Sequence, residues 1–119
     1  MTGLTDRILN YLCPRDINAS ITTTKGSVRS GSITCKKFGP IIYLTFVAIK
    51  PSGTVAAGSD LFAGTVSSNI RGAYARSNTR YNGEALPVYL NADGSIRIVN
   101  GKSSISDNLT MRIALMFMI

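Results

Sequence analysis

The sequence predicts an all-β protein, a jelly-roll-like β-sandwich preceded by a short N-terminal helix, and three observations predict it. Leu109 to Ile119 alternates with period two, so Leu109, Met111, Ile113, Leu115, Phe117 and Ile119 share one face of a strand. Turn-forming groups such as Lys50-Pro51-Ser52-Gly53, Asn91-Ala92-Asp93-Gly94 and Asn100-Gly101 punctuate the chain. Between them lie runs rich in β-branched residues, seven or eight short strands at roughly ten-residue intervals, the pattern of a sandwich.

The elements follow in order. Leu4, Ile8, Leu9, Tyr11 and Leu12 recur at helical spacing over residues 1–16, with Thr2 or Thr5 available as N-cap. Cys13-Pro14 should end that helix, because the residue before proline avoids the α region. A helix so short needs something to dock on. Asn18 to Gly26 reads as a linker or an edge strand, so the chain divides into an attachment segment, 1–25, and a head, 26–119. Val28 to Phe38 is a strand interrupted at Gly31, and Ile41 to Ile49 is a strand apolar on both faces. Thr54 to Val66 holds a short strand broken near Gly58. Ile70 to Arg76 and Ala85 to Leu90 are read as strands joined through Tyr81-Asn82-Gly83. Ser95 to Val99 alternates, and Ser103 to Ser106 is a short further strand.

Two strands pose a burial problem. Leu109 to Ile119 becomes apolar on its second face at Met116 and Met118, and Ile41 to Ile49 carries Tyr43, Val47 and Ile49 opposite Leu44, Phe46 and Ala48. A sheet with one solvated face keeps polar positions there. The expectation is a subunit interface through Tyr43, Val47, Ile49, Ala114, Met116 and Met118; the alternative is cover by the N-terminal helix of the same chain.

Composition narrows the function classes. The chain of 119 residues is 45% hydrophobic, enough for one core without a metal or disulfide. It has no histidine and two cysteines, Cys13 and Cys35, at no ligand spacing, so a structural zinc site is excluded and no cofactor is expected. Two thiols are expected over a disulfide, and the pairing stays open. There is no paired-carboxylate, nucleophile-elbow or phosphate-loop pattern, so catalysis is not expected. Met1 to Leu12 lacks the apolar core of a secretory signal, and no run is long enough to span a membrane. Thirteen Lys and Arg against six Asp and Glu give +7, which suits polyanionic partners or simple solubility.

Arg71, Tyr74, Arg76, Asn78, Arg80, Tyr81 and Asn82 carry binding character: tyrosines stack on sugar faces, while Arg and Asn bond hydroxyls, carboxylates or phosphates. They read either as a glycan-binding loop or rim, or as a solvated loop whose tyrosines pack on the sandwich edge. A nucleic-acid partner could use the same residues, but no recognised module accompanies them.

Residues 26–119 resemble the C-terminal head domains of bacteriophage tail-fibre, baseplate and head-fibre proteins. The resemblance lies in the polar strand Ser27 to Lys37, Phe38-Gly39, the apolar strand Ile41 to Ile49, and Ala57-Gly58-Ser59-Asp60-Leu61-Phe62-Ala63-Gly64. It continues through Ile70-Arg71, Val88-Tyr89-Leu90 and Asn91 to Ile98 to the apolar final strand. It implies a homotrimeric, receptor-binding jelly roll in the virion, made in the bacterial cytoplasm, that recognises a host surface glycan. Residues 1–16 would then contact other virion proteins. A capsid-decorating or fibre-anchoring protein without a host ligand is the alternative.

Overall fold

The computed structural model describes residues 15–81 and 83–119. They form strands β1 (Arg15–Asp16), β2 (Ile21–Lys25), β3 (Ser27–Val28), β4 (Thr34–Phe38), β5 (Ile41–Lys50), β6 (Asp60–Val66), β7 (Ala75–Tyr81), β8 (Glu84–Leu90), β9 (Ser95–Val99) and β10 (Leu109–Met118). Two antiparallel sheets result. The first runs β1-β4-β5-β10, with β3 also on β5; the second runs β2-β6-β9-β8-β7. The all-β expectation stands, and the arrangement is consistent with a β-sandwich.

Alternation builds the core as the sequence indicated. Ile42, Leu44, Phe46 and Ala48 of β5 are buried, as are Leu109, Met111, Ile113, Leu115 and Phe117 of β10. The second sheet answers with Phe62, Leu86, Val88, Leu90, Ile96 and Ile98. Phe46 and Phe62 meet across the layers with centroids 5.8 Å apart and rings tilted by 36°, within the favourable range for aromatic pairs.

Several boundaries differ from expectation. The helix assigned to 1–16 lies, for residues 1–14, outside the described residues. Arg15 and Asp16 are extended, pairing with Lys37 and Lys36, and the Asp16 carboxylate meets the Lys36 ammonium at 2.6 Å. Ile17 N–H continues this ladder to the Cys35 carbonyl. Asn18 to Gly26 takes the edge-strand alternative, as β2 on β6. Residues 15–25, expected as the end of an attachment segment, therefore supply one strand to each sheet. Gly26 is the crossing point between the sheets, at φ +77, and a Cβ there would stand 2.7 Å from the Ile49 carbonyl.

Ile70 to Arg76 is not a strand throughout. Ser68–Ile70 is a 3₁₀ turn that buries Ile70, and Gly72 at φ +108 breaks extension before Ala75. Ser103 to Ser106 contributes only an isolated bridge between Val55 and Ile105. Asn100, read as a hairpin turn, is a buried hub: its side-chain amide donates to the carbonyls of Val55, Ala56 and Ser103 at 2.9–3.2 Å. Lys50, read as the start of a turn, is only 2% exposed; its Nζ donates to the carbonyls of Pro51, Gly53 and Asp107 at 3.0, 2.7 and 2.8 Å. Cys35 is a buried free thiol. Among the described residues, no helix is long and apolar enough to cross a membrane.

Candidate functional site

The binding character seen in the sequence resolves into a sheet face, because Arg76 to Tyr81 is a strand and not a loop. Along β7, Ala75 and Thr79 are buried while Arg76, Asn78 and Arg80 are exposed, as period two requires. These three residues thus share the outer face of the second sheet.

Of the other predicted residues that are described, Arg71 and Tyr81 turn away from this face and Tyr74 lies at its margin. Arg71 is structural: its Nε donates to the Val66 carbonyl at 2.9 Å, and its stem lies where a Cβ on Gly94 would fall. Tyr74 stands 70% exposed just before β7, at the sandwich corner. Tyr81 is half-buried on the inward side of the strand, and its hydroxyl donates to the Asp107 carboxylate at 3.1 Å. Asn82 lies outside the described residues.

Register adds residues that the sequence reading did not assign to a site. Arg76 pairs with Tyr89 of β8, Tyr89 with Arg97 of β9, Arg97 with Ala63 of β6, and Ala63 with Lys25 of β2. One cross-strand row therefore spans all five strands. The Arg76 guanidinium carbon lies 4.9 Å from the Tyr89 ring centroid, and that of Arg97 lies 5.6 Å from it. Arg76 also stands 5.8 Å from the Tyr74 ring. Both distances to Tyr89 fall within cation–π range, so one ring is flanked by two cations.

Arg76 is fixed by its own surroundings. Its Nη1 donates to the carbonyls of Ala75 and Leu90, each at 2.9 Å, and its Nη2 to Asn91 Oδ1 at 3.4 Å. Neutral acceptors orient the guanidinium without cancelling its charge. Arg97 faces Asp60 at 3.8 Å in a partly exposed pair, long for an ion pair, which neutralises it weakly. Tyr89 and Arg97 could have been found from outward positions in alternating segments, but their adjacency is a property of register. Lys25 was hidden further, because β2 read as readily as a linker.

The second surface is apolar. Tyr43, Val47, Ile49, Ala114, Met116 and Met118 all fall on the outer face of the first sheet, where Tyr43 pairs with Met116, Ile41 with Met118, and Val47 with Arg112. They are not equivalent. Val47 and Ile49 are half-buried and sit opposite Arg112 and Thr110, whereas Met116 and Met118 are 60% and 66% exposed. The large exposed hydrophobics among the described residues are Tyr43, Tyr74, Met116, Met118 and Ile119. They gather at one end, around a groove of about 650 Å³ between Ile41, Met116 and Met118 on one side and Gly72, Ala73 and Tyr74 on the other. Tyr74 thus belongs to both surfaces.

Among the described residues, no group of three or more His, Cys, Asp or Glu side chains is placed to hold a metal ion. Comparison with protein-family models, with curated proteins and with solved structures finds no match to this chain.

Proposed function

We propose that the protein is a bacteriophage structural component, a homotrimeric jelly-roll-like head that binds a host cell-surface glycan through the outer face of its second sheet. The observation that carries the reading is the Tyr89 ring held between the guanidinium groups of Arg76 and Arg97 on an open sheet face. A tyrosine ring offers a sugar an apolar platform, and flanking guanidinium groups offer directed donors to its oxygens. Binding of this kind needs no catalytic group.

The nested pairing of β5 with β10 and of β6 with β9 supports a jelly-roll-like wrapping, in which early and late strands close on each other in both sheets. The exposed apolar end around Met116 and Met118 supports contact between copies, because a water-soluble monomer rarely leaves such side chains contiguous. Trimeric symmetry, a place in the virion and attachment through residues 1–16 come from the resemblance to phage head domains. One observation favours the purely structural alternative, a decorating or anchoring protein: Arg76 already commits donors to the backbone carbonyls of Ala75 and Leu90.

Two measurements test the reading. Light scattering should give the mass of three chains for the parent and a smaller mass for Met116→Ser/Met118→Ser; a monomeric parent overturns the assembly. The parent should bind whole host cells or a glycan array, with binding reduced in Tyr89→Ala. Undiminished binding by that variant removes the site, and no binding at all favours the structural alternative.

A further inference from the structure

We infer that the glycan recognised by the second sheet is anionic, a carboxylate- or phosphodiester-bearing polysaccharide lying across the strands along the row Lys25, Arg97, Tyr89 and Arg76. This rests on the glycan reading above and adds to it the chemical class of the ligand. The row is a consequence of register: Ala63, Arg97, Tyr89 and Arg76 occupy matched positions on neighbouring strands of the second sheet, and a bulge between Thr23 and Lys25 sets Lys25 opposite Ala63. Neighbouring strands lie about 4.8 Å apart, so the row extends roughly 19 Å, long enough for an extended oligomer. Small Ala63 separates Lys25 from Arg97 and leaves the sheet low between two cations.

Charge decides the class. The strands of this face carry Lys25, Arg76, Arg80 and Arg97 outward against the acid Asp60. Among the described residues no carboxylate pairs with Arg76, whose bonds go to carbonyl and amide oxygens. A neutral sugar would leave that charge unanswered, whereas a carboxylate or phosphate accepts the guanidinium fork in two parallel bonds. The Arg76 guanidinium, held by its carbonyl and amide partners and lying over the Tyr89 ring, is also oriented before the ligand arrives, which lowers the ordering cost of binding. Single-stranded nucleic acid suits the face less well, because its usual platforms stack successive bases on several rings, and within the row only Tyr89 supplies one.

The test measures binding of the intact protein to five probes: polygalacturonate, glycerol-phosphate teichoic acid, neutral dextran, neutral mannan and single-stranded DNA. Each is repeated with Arg76→Gln/Arg97→Gln and with Arg29→Gln/Lys102→Gln, which removes the same charge from exposed positions away from the row. The expected result is binding to at least one anionic glycan that exceeds binding to both neutral ones. It should weaken about tenfold or more in the first variant and by less than about threefold in the second. Equal loss in both variants means bulk charge and overturns the inference. Tighter binding of DNA than of either anionic glycan overturns it in favour of a nucleic acid. Binding to a neutral glycan as tight as to the anionic ones, unmoved by Arg76→Gln/Arg97→Gln, overturns the anionic class and leaves glycan recognition standing. Absence of binding to every glycan removes both.

Discussion

Replacing Lys50 by Met should destabilise the protein by about 2–3 kcal/mol, although Met is apolar and fills nearly the same space. Lys50 is 2% exposed, and its ammonium donates all three of its protons, to the carbonyls of Pro51, Gly53 and Asp107. These bonds tie the turn after β5 to the segment entering β10. Two effects oppose each other in the variant. Removing a buried cation saves a desolvation cost of several kcal/mol, while losing it forfeits three charge-assisted bonds at about 1.5–3 kcal/mol each. The three bonds together outweigh the saving, and the exposed positions of Pro51, Gly53 and Asp107 let water recover part of the loss, which keeps the net cost to about 2–3 kcal/mol. For a domain of this size the midpoint of thermal unfolding should fall by roughly 10 °C. Urea denaturation should show the loss in the midpoint at unchanged slope. Lys36→Met is the control, since an exposed pair with Asp16 is worth at most about 1 kcal/mol. A Lys50→Met protein within about 0.5 kcal/mol of the parent, or more stable than it, refutes the three-carbonyl clamp, because replacing a buried charge that lacks strong bonds is neutral or stabilising.

Two further expectations follow from the backbone and the core. Gly26→Ala should cost about 2–4 kcal/mol in equilibrium denaturation, combining positive φ with a Cβ 2.7 Å from the Ile49 carbonyl, whereas Gly31→Ala, at φ +73 with open space around it, should cost only about 1 kcal/mol; equal losses would mean that the crossing between sheets is not tight. Burial pushes the Cys35 thiol above its ordinary value, so the native state holds a proton that the unfolded chain releases. Its contribution is complete below the unfolded thiol pKa, about 8.5, and is lost as pH rises through the higher folded value. Denaturation midpoints of the parent relative to Cys35→Ala should therefore decline between neutral and alkaline pH, and a constant difference contradicts the burial argument.

What the sequence made legible was alternation, and what it hid was register. Leu109 to Met118 and Ile41 to Lys50 each announce two faces, and both faces lie where period two puts them. Asn91 to Gly94 announces its turn through a glycine at positive φ, here +89. The seven residues from Arg71 to Asn82 illustrate the limit. Composition marked them as one site, yet a strand sends Arg76 and Tyr81 to opposite faces, and Gly94 claims Arg71. Tyr89 joined the site only because two strand pairings set it between Arg76 and Arg97. Residue type marks Lys50 and Asn100 as turn formers, and neither shows in one dimension which distant carbonyls it will meet.

The pairing of β5 with β10 has a kinetic consequence. Ile41 meets Met118 and Lys50 meets Leu109 across most of the domain, while β7, β8 and β9 are joined by short turns. Closing long loops before any contact offsets their entropy makes such non-local sheets slow to form. The β7-β8-β9 meander is therefore expected to assemble first, leaving Leu44 and Phe46 exposed on a β5 that still lacks its partner. At high concentration during refolding, the β10 of another copy can fill that place with the same register. Yield should then depend on dilution, and exchanged dimers should be the species that dilution removes.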